Sequence, residues 1–335
     1  MNPNRARRRR PAPIHQLLLK GNDVNTLHDY KMTMDKAYEL IGSGRLLEGG
    51  AQLRETLAAL RASMDRQTWE AFAKQEAVCH PIKEIMHLCQ MTCRSFHKPR
   101  GYAGDAVMLD HIYGLGEAKF APHPATLAGQ VYFATINSAS VRAVRFRRTI
   151  LAKLIDETVH RVGDGWAKIL SIAVGHLREA ELSQTVMEGR VGELIALDQD
   201  LESLEVINRD YAGRNIRTVH GSVRQLIGGK AKFSGCDLVY AAGLFDYLEQ
   251  PVGKRLVERM FDMVRPGGKI MVANFAHGIP DVGYMEAMMD WWLVYRSQQQ
   301  VADLFSGLPP ERIGKLEIFC DPDQNIIFAT ADKLA

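Results

Sequence analysis

The chain has 335 residues, 46% of them hydrophobic, and a formal net charge of +3, which is typical of one large or two modest globular domains. No apolar run approaches the roughly 20 residues of a membrane-spanning helix, and residues 17–19 are too few for a secretory signal. Five irregularly spaced cysteines are typical of reduced thiols, so we expect a cytoplasmic protein without an integral membrane segment.

The first part of the chain is predicted to be a tail followed by helices. Residues 1–22 contain a run of arginines and predict a flexible basic tail, with a contact to nucleic acid or to a membrane surface as the alternative. From residue 23 to residue 162, apolar residues such as Leu53 and Leu57 recur at helical spacing, which predicts a helical N-terminal domain.

One segment of this helical region is rich in cysteine and histidine. Its members are Cys79, His80, His87, Cys89, Cys93 and His97. Structural zinc sites usually combine two closely spaced ligand pairs, and the cysteines here supply only one, Cys89 and Cys93. We therefore interpret them as buried helical thiols and expect no metal site.

The pattern changes at residue 163, beyond which predicted strands and helices alternate. Strands are predicted at 168–173, 193–197, 216–220, 236–241 and 269–274, and helices at 177–187, 201–211 and 252–264. This alternation predicts βαβ units and a parallel α/β sheet of the Rossmann-like class. Two last strands at 315–320 and 325–330 flank a turn and predict an antiparallel hairpin.

A glycine and an acid follow the first two predicted strands. Gly175 allows backbone to approach a ligand closely because it has no Cβ atom. Asp198 stands where a doubly wound sheet presents a carboxylate to a ribose diol. The three-glycine fingerprint of nicotinamide binders is absent. The pair indicates a nucleoside-containing cofactor of another kind.

Several further motifs accompany Asp198. They are the segments 220–223 and 265–268 and the reversed hairpin. Residues 163–335 resemble the class I S-adenosylmethionine-dependent methyltransferases. The resemblance implies a mostly parallel sheet with an antiparallel last strand, S-adenosyl-L-methionine as cofactor, and a helical N-terminal domain covering the active site. The cofactor-binding residues that it implies are Ala173, Gly175, His176, Asp198, Gln199, Ser222, Val223, Ala241, Gly243 and Leu244.

Three further segments carry a narrower resemblance. Residues 99–105, 141–148 and 290–296 are similar to a bacterial subgroup that includes the synthase of 3-hydroxypalmitic acid methyl ester. Membership would imply methyl transfer to a small carboxylic acid such as a 3-hydroxy fatty acid. Such an acceptor is ionised at neutral pH and needs cationic or amide donors for placement rather than a general base.

The candidate residues for this chemistry are cationic, aromatic or hydrogen-bonding side chains. The carboxylate-binding candidates are Arg142, Arg145 and Arg296, although we interpret Arg145 and Arg148 as partners in ion pairs. The catalytic candidates are Tyr102, Asn274, His277, Tyr295 and Arg296, and the substrate-binding candidates are Arg142, Tyr247 and Trp291. The aromatic rings could surround a sulfonium through cation–π attraction, with core packing as the alternative.

Two other functions remain open at this stage. The chain could cyclise S-adenosylmethionine to azetidine-2-carboxylate and methylthioadenosine, a reaction that needs no acceptor. It could also be a non-catalytic module that binds the cofactor and regulates a partner. Nucleic-acid methylation is disfavoured, because basic residues beyond the tail are interspersed with acids. The oligomeric state cannot be read from the sequence.

Overall fold

The computed structural model describes residues 24–115 and 121–334, with side chains from residue 31 onwards. The predicted basic tail lies outside these residues. The described chain forms two compact units. Unit 1 comprises residues 24–104, 121–137 and 280–292, and unit 2 comprises residues 105–115, 138–279 and 293–334. The sequence-based boundary at residue 163 stays a prediction.

The helices, in chain order, are α1 (Val24–Gly42), α2 (Leu46–Ser63), α3 (Arg66–Gln75), α4 (Ile82–Met86), α5 (Gln90–His97), α6 (Ala106–Tyr113), α7 (Leu127–Ile136), α8 (Ala139–Val162), α9 (Gln184–Met187), α10 (Leu201–Asp210), α11 (Val223–Ile227), α12 (Gln250–Met263), α13 (Val282–Met288) and α14 (Gln298–Ala302). The strands are β1 (Lys168–Ile172), β2 (Glu193–Asp198), β3 (Ile216–His220), β4 (Cys236–Ala241), β5 (Val264–Phe275), β6 (Ile313–Cys320) and β7 (Ile326–Lys333). Among the described residues, no helix is both long and apolar enough to cross a membrane.

Unit 1 is held together by the close packing of α2 and α13. A Cβ atom on Gly283 would lie 2.4 Å from the carbonyl oxygen of Leu57, so only glycine allows this approach. Glu286, also on α13, accepts hydrogen bonds at 2.7 Å from Arg61 Nε and at 2.6 Å from the indole of the fully buried Trp69. These bonds compensate for the burial of the carboxylate.

Unit 2 contains a seven-stranded sheet in the order β3-β2-β1-β4-β5-β7-β6. The first five strands are parallel, and β7 runs antiparallel to both β5 and β6. The central strands are buried on both faces, which explains their continuous apolar sequences. The predicted Rossmann-like sheet, mostly parallel with an antiparallel last strand, is confirmed.

The predicted helix at 177–187 is wrong, because this segment is broken into a short 3-10 turn at Arg178–Glu181 and the four-residue α9. Ser183 starts α9 by accepting a hydrogen bond from Val186 N at 3.2 Å. The carboxylate of Asp156 holds this start, since it accepts from Ser183 Oγ at 2.6 Å and from the backbone N–H of Thr185 at 3.0 Å. A distant side chain therefore overrides the local helical pattern.

Candidate functional site

The strand order of unit 2 fixes where a ligand binds. The chain proceeds from β1 to β2 and β3 on one side, then crosses to β4 on the other side of β1. In open α/β sheets, ligands occupy the crevice at the carboxyl ends of the strands where this reversal occurs. The candidate site is therefore formed by the segments that follow β1, β2, β3 and β4.

The segment after β1 has an unusual backbone. Ala173, Gly175 and Leu177 have φ angles of 54°, 58° and 53°, in the left-handed region that side chains other than glycine rarely adopt. A Cβ atom on Gly175 would lie 3.3 Å from the Cβ of Ala106, a tight contact. Strained backbone of this kind clusters at ligand sites, where the surrounding structure holds it in place.

Asp198 links the segments after β1 and β2. Its two carboxylate oxygens accept hydrogen bonds at 2.8 Å from Gly175 N and at 2.9 Å from Asp200 N. Burial raises the pKa of Asp198, although the backbone hydrogen bonds favour its ionised form. Two carboxylate oxygens offer about four acceptor positions, so Asp198 can still accept from two hydroxyl groups of a ligand.

A buried ionic network anchors the start of the same loop. Asp110 on α6 accepts from Arg178 Nε and Nη2, both at 2.8 Å, and lies 2.9 Å from His176 Nδ1. Burial opposes ionisation of Asp110, but the hydrogen bonds from Arg178 and His176 outweigh it and lower the pKa of Asp110. His176 is thus engaged on its Nδ1 side with α6, and its predicted contact with the cofactor stays a prediction.

The residues predicted to surround an adenine lie after β2 and β3. Ser222 begins α11 with a reciprocal cap, in which its Oγ accepts from Gln225 N at 3.3 Å and its own N–H donates to Gln225 Oε1 at 2.8 Å. Val223 follows it and is half-buried, and the side chain of Gln199 is exposed. His220 Nε2 lies 3.2 Å from the carbonyl oxygen of Gln199 and connects the two segments.

A cation that sequence reasoning did not single out, Arg147 of α8, lies near the segment after β4. A Cβ atom on Gly243 would lie 3.6 Å from Nη2 of Arg147, a buried residue of α8. Burial raises the pKa of Glu179, and the charge of Arg147 opposes this rise. Burial raises the pKa of the half-buried Tyr113 as well, and the charge of Arg147 again opposes the rise. The spacing of the arginines along α8 does not distinguish a buried Arg147 near the site from its neighbours on the helix.

Asp246 lies in the same segment and is buried. Its Oδ1 accepts from Phe275 N at 2.7 Å. Burial raises the pKa of Asp246 to about 6, and the charges of Arg147 and Arg296 act in the opposite direction. A carboxyl group with this pKa exists in both protonation states near neutral pH.

Arg296 and Asn274 bind each other and the backbone around them. Arg296 donates to Gln250 Oε1 and to the carbonyl oxygen of Phe245, both at 2.8 Å, and to Asn274 Oδ1. Asn274 Nδ2 donates to the carbonyl oxygen of Val294 at 2.9 Å. Because both side chains bond to backbone carbonyls, we interpret them as positioning the segment after β4.

The remaining candidates are dispersed. His277 is exposed and its Nε2 lies 3.0 Å from Gln300 Oε1. Arg142 is half-exposed and donates at 2.9 Å to Asp323 in the β6–β7 turn. Tyr247 is exposed and Tyr295 is half-buried. The other two candidates, Tyr102 and Trp291, belong to unit 1, and their contributions stay predictions.

No protein-family model matches the chain, and no curated protein matches it. Among solved structures, a "possible exported protein" from Bordetella parapertussis is similar with a TM-score of 0.57 and 15% identity, over 86% of this chain and 96% of that chain. The apo form of the S-adenosylmethionine-dependent methyltransferase SibL has a TM-score of 0.44 and 14% identity over 86% and 78% of the two chains. Magnesium protoporphyrin IX methyltransferase from Synechocystis PCC 6803, with bound SAH, has a TM-score of 0.45 and 7% identity over 67% and 91%. At these identities the likeness concerns the fold and leaves the substrate open.

Proposed function

We propose that unit 2 binds S-adenosyl-L-methionine at the carboxyl ends of β1 and β4 and transfers its methyl group to a small carboxylic acid, such as a 3-hydroxy fatty acid. One observation carries this proposal. In a sheet whose β7 is reversed, Asp198 ends β2 and is bonded to the N–H of Gly175 across the crevice.

Asp198 and Gly175 support the nucleoside part of the cofactor. The half-buried carboxyl edge of β2 is the position from which an acid binds ribose hydroxyls in doubly wound sheets. The bond from Gly175 fixes one carboxylate oxygen and leaves acceptor positions on both. Gln199, Ser222 and Val223 follow β2 and β3 and would flank the adenine, while Ala241, Gly243 and Leu244 follow β4 and would flank the sulfonium.

Arg147 is suited to bind the carboxylate of the methionine moiety. Its guanidinium is buried and would lie 3.6 Å from a Cβ atom on Gly243, so it is near the carboxyl end of β4. A guanidinium binds a carboxylate through two parallel hydrogen bonds, and such bonds are stronger in a buried environment. Three other arginines of unit 2 are engaged elsewhere: Arg142 pairs with Asp323 at the surface, Arg178 pairs with Asp110, and Arg296 binds backbone carbonyls. We therefore assign to Arg147 the carboxylate of the methionine moiety.

The chain's part in the reaction is alignment and the exclusion of water. A carboxylate oxygen of the acceptor attacks the methyl carbon, the carbon–sulfur bond breaks towards sulfur, and a methyl ester and S-adenosylhomocysteine result. The acceptor is already ionised, so no side chain has to remove a proton. Holding the nucleophile in line with the methyl group and the sulfur supplies most of the rate acceleration in such a transfer.

The test is product analysis with S-adenosylmethionine, first alone and then with a series of 3-hydroxy fatty acids of different lengths. We expect S-adenosylhomocysteine and the methyl ester only when an acid is present. Methylthioadenosine from the cofactor alone would instead establish cyclisation. Tight cofactor binding without turnover of any acid would indicate a regulatory module, and both results would contradict the proposal.

The role of Arg147 is tested with a matched pair of variants. Arg147→Gln should raise the KM for S-adenosylmethionine at least tenfold, corresponding to the loss of about 1.5–3 kcal/mol for a hydrogen bond to a charged group. Arg161→Gln, at the exposed C-terminal end of α8 where Arg161 donates to the carbonyl oxygen of Gly267, serves as the control and should leave this KM unchanged. Equal KM values for the two variants would contradict the assignment.

A further inference from the structure

Three potential metal ligands meet in unit 1, within the segment for which the cysteine spacing alone predicted no metal site. They are His87, Cys93 and His97, and one ligand atom from each lies within 4.8 Å of those of the other two. Cys93 and His97 are four residues apart on α5 and therefore share one face of the helix. His87 precedes α5, in the segment that follows α4. The fold thus adds a third donor to a helical pair.

The distances fit a tetrahedral metal. Cys93 Sγ and His97 Nδ1 are 3.5 Å apart. Zinc bonds of about 2.3 Å to sulfur and about 2.0 Å to nitrogen, opened to a tetrahedral angle, place two ligand atoms about 3.5 Å apart. The separation of Sγ and Nδ1 thus equals that of two zinc ligands, and the ring of His97 has to turn away from the carbonyl oxygen of Cys93 for Nδ1 to face an ion.

His87 is oriented by a hydrogen bond that involves its Nε2. Its Nε2 lies 2.9 Å from the carbonyl oxygen of Met288, which can only accept, so Nε2 carries the proton. The lone pair is then on Nδ1. Histidines that bind metals usually donate their second N–H to a carbonyl or a carboxylate, which fixes the tautomer and the ring orientation. His87 has this feature through the C-terminal end of α13.

His97 and Cys93 are accessible for binding. His97 is exposed and Cys93 is half-buried, so an ion can reach both from solvent. Without metal, His97 Nδ1 lies 2.8 Å from the carbonyl oxygen of Cys93. Binding through Nδ1 would break this hydrogen bond, turn the ring and move the ring proton to Nε2, which the exposed side chain of His97 allows. The ring of Phe96 packs on both histidines, with centroid distances of 4.9 and 5.5 Å, and limits their movement.

We propose that unit 1 binds one zinc-type divalent ion through His87, Cys93 and His97, with a fourth coordination position left for water or another ligand. Two imidazoles and one thiolate form a donor set that zinc and cobalt(II) prefer over magnesium or calcium. On binding, the thiol of Cys93 releases its proton to solvent and its sulfur bonds the metal. This inference does not depend on the proposed methyl transfer.

Cobalt(II) titration of the full chain, stripped with a chelator and without a histidine affinity tag, tests the proposal. We expect saturation at one cobalt per chain, with a thiolate-to-cobalt charge-transfer band in the near ultraviolet and visible bands typical of tetrahedral cobalt. Zinc should displace the cobalt and abolish the bands. The absence of a thiolate band at saturation would overturn the proposal.

Variants identify the ligands. Cys93→Ser should remove the charge-transfer band, and His87→Ala and His97→Ala should each weaken cobalt binding at least tenfold. Cys79→Ser, at an exposed thiol of the same unit, should leave the spectrum and the affinity unchanged. His97 is exposed, so its replacement tests the site even if His87→Ala fails to fold. A band that persists in Cys93→Ser, or an unchanged affinity in His97→Ala, would refute this donor set.

Discussion

The segments that follow β1 and β4 meet at the same crevice but differ in how their charged side chains are paired. After β1, Arg178 is bonded to Asp110 and Asp210, and His176 is bonded to Asp110 as well. After β4, Asp246 is buried beside Arg147, and its pKa is raised to about 6. The first segment is fixed by complete pairing, and the second retains groups that can respond to a ligand or to pH.

This difference indicates which charges maintain the structure and which are available for chemistry. Buried ions that are fully paired are costly to separate, because breaking one pair leaves an uncompensated charge. Buried groups with shifted pKa values at a crevice are more often found at functional sites. The four predictions below test this division, from the largest expected effect to the smallest.

Removing the central acid of the paired segment should have the largest effect. Asp110→Ala leaves Arg178 and His176 buried without their shared partner and should lower the free energy of unfolding by about 3–5 kcal/mol at pH 7. The pKa of Asp110 is lowered in the folded state, so this stabilisation exists above its unfolded value and disappears as the pH falls below about 4. Urea denaturation at several pH values measures it.

Asp262→Asn is the control for this variant, because Asp262 pairs with Arg259 at the surface. Exposed pairs typically contribute about 0–1 kcal/mol. A similar loss of stability in the two variants would contradict the structural role of the network after β1.

The second prediction concerns the raised pKa of Asp246. Asp246→Asn keeps an acceptor for Phe275 N but removes the ionisation. Because the folded pKa is about 6 and the ordinary value is 3.8, the wild-type protein loses stability as the pH rises from 4 to 6. The variant should escape this loss, which amounts to about 2–3 kcal/mol.

The measurement is the difference in unfolding free energy between Asp246→Asn and wild type from pH 4.5 to pH 8. The difference should grow in favour of the variant up to about pH 7 and then stay constant. A difference that does not vary with pH would show that Asp246 has an ordinary pKa in the folded protein.

The third prediction concerns Asp198, whose hydrogen bond with Gly175 N joins the segments after β1 and β2. Asp198→Ala should weaken binding of S-adenosylmethionine by about 1–3 kcal/mol, from the loss of hydrogen bonds to a charged group. Calorimetry measures the affinity. Asp200→Asn is the matched control, since an amide oxygen can still cap α10. Unchanged affinity in Asp198→Ala would disprove its predicted contact with the ribose.

The smallest effect is expected at the surface of the same unit. Arg142→Gln removes the half-exposed pair with Asp323 and should change the free energy of unfolding by less than about 1 kcal/mol. Urea denaturation at low and high salt measures this difference, which should shrink at high salt because salt screens exposed charges. A loss comparable to that of Asp110→Ala would mean that the β6–β7 turn depends on this pair.

Much of the sheet could be predicted because its signals are local. Continuous apolar runs gave β1, β2 and β4 almost to the residue, and the turn at 321–325 gave the antiparallel hairpin. The position of Asp198 at the end of β2 followed directly from the strand prediction. The broken helix after β1 could not be predicted, because the carboxylate of Asp156, 27 residues before Ser183, determines it.

The sequence by itself determined the order of strands and helices, the reversed end of the sheet and the place of Asp198, because hydrophobic periodicity and turn chemistry act over a few residues. Only the tertiary structure decided that Arg178 pairs with Asp110, 68 residues away, that Arg147 lies against Gly243, and that His87 joins Cys93 and His97. The partners of charged and potential metal-binding side chains depend on which groups lie close in space. The packing of the apolar core sets those distances.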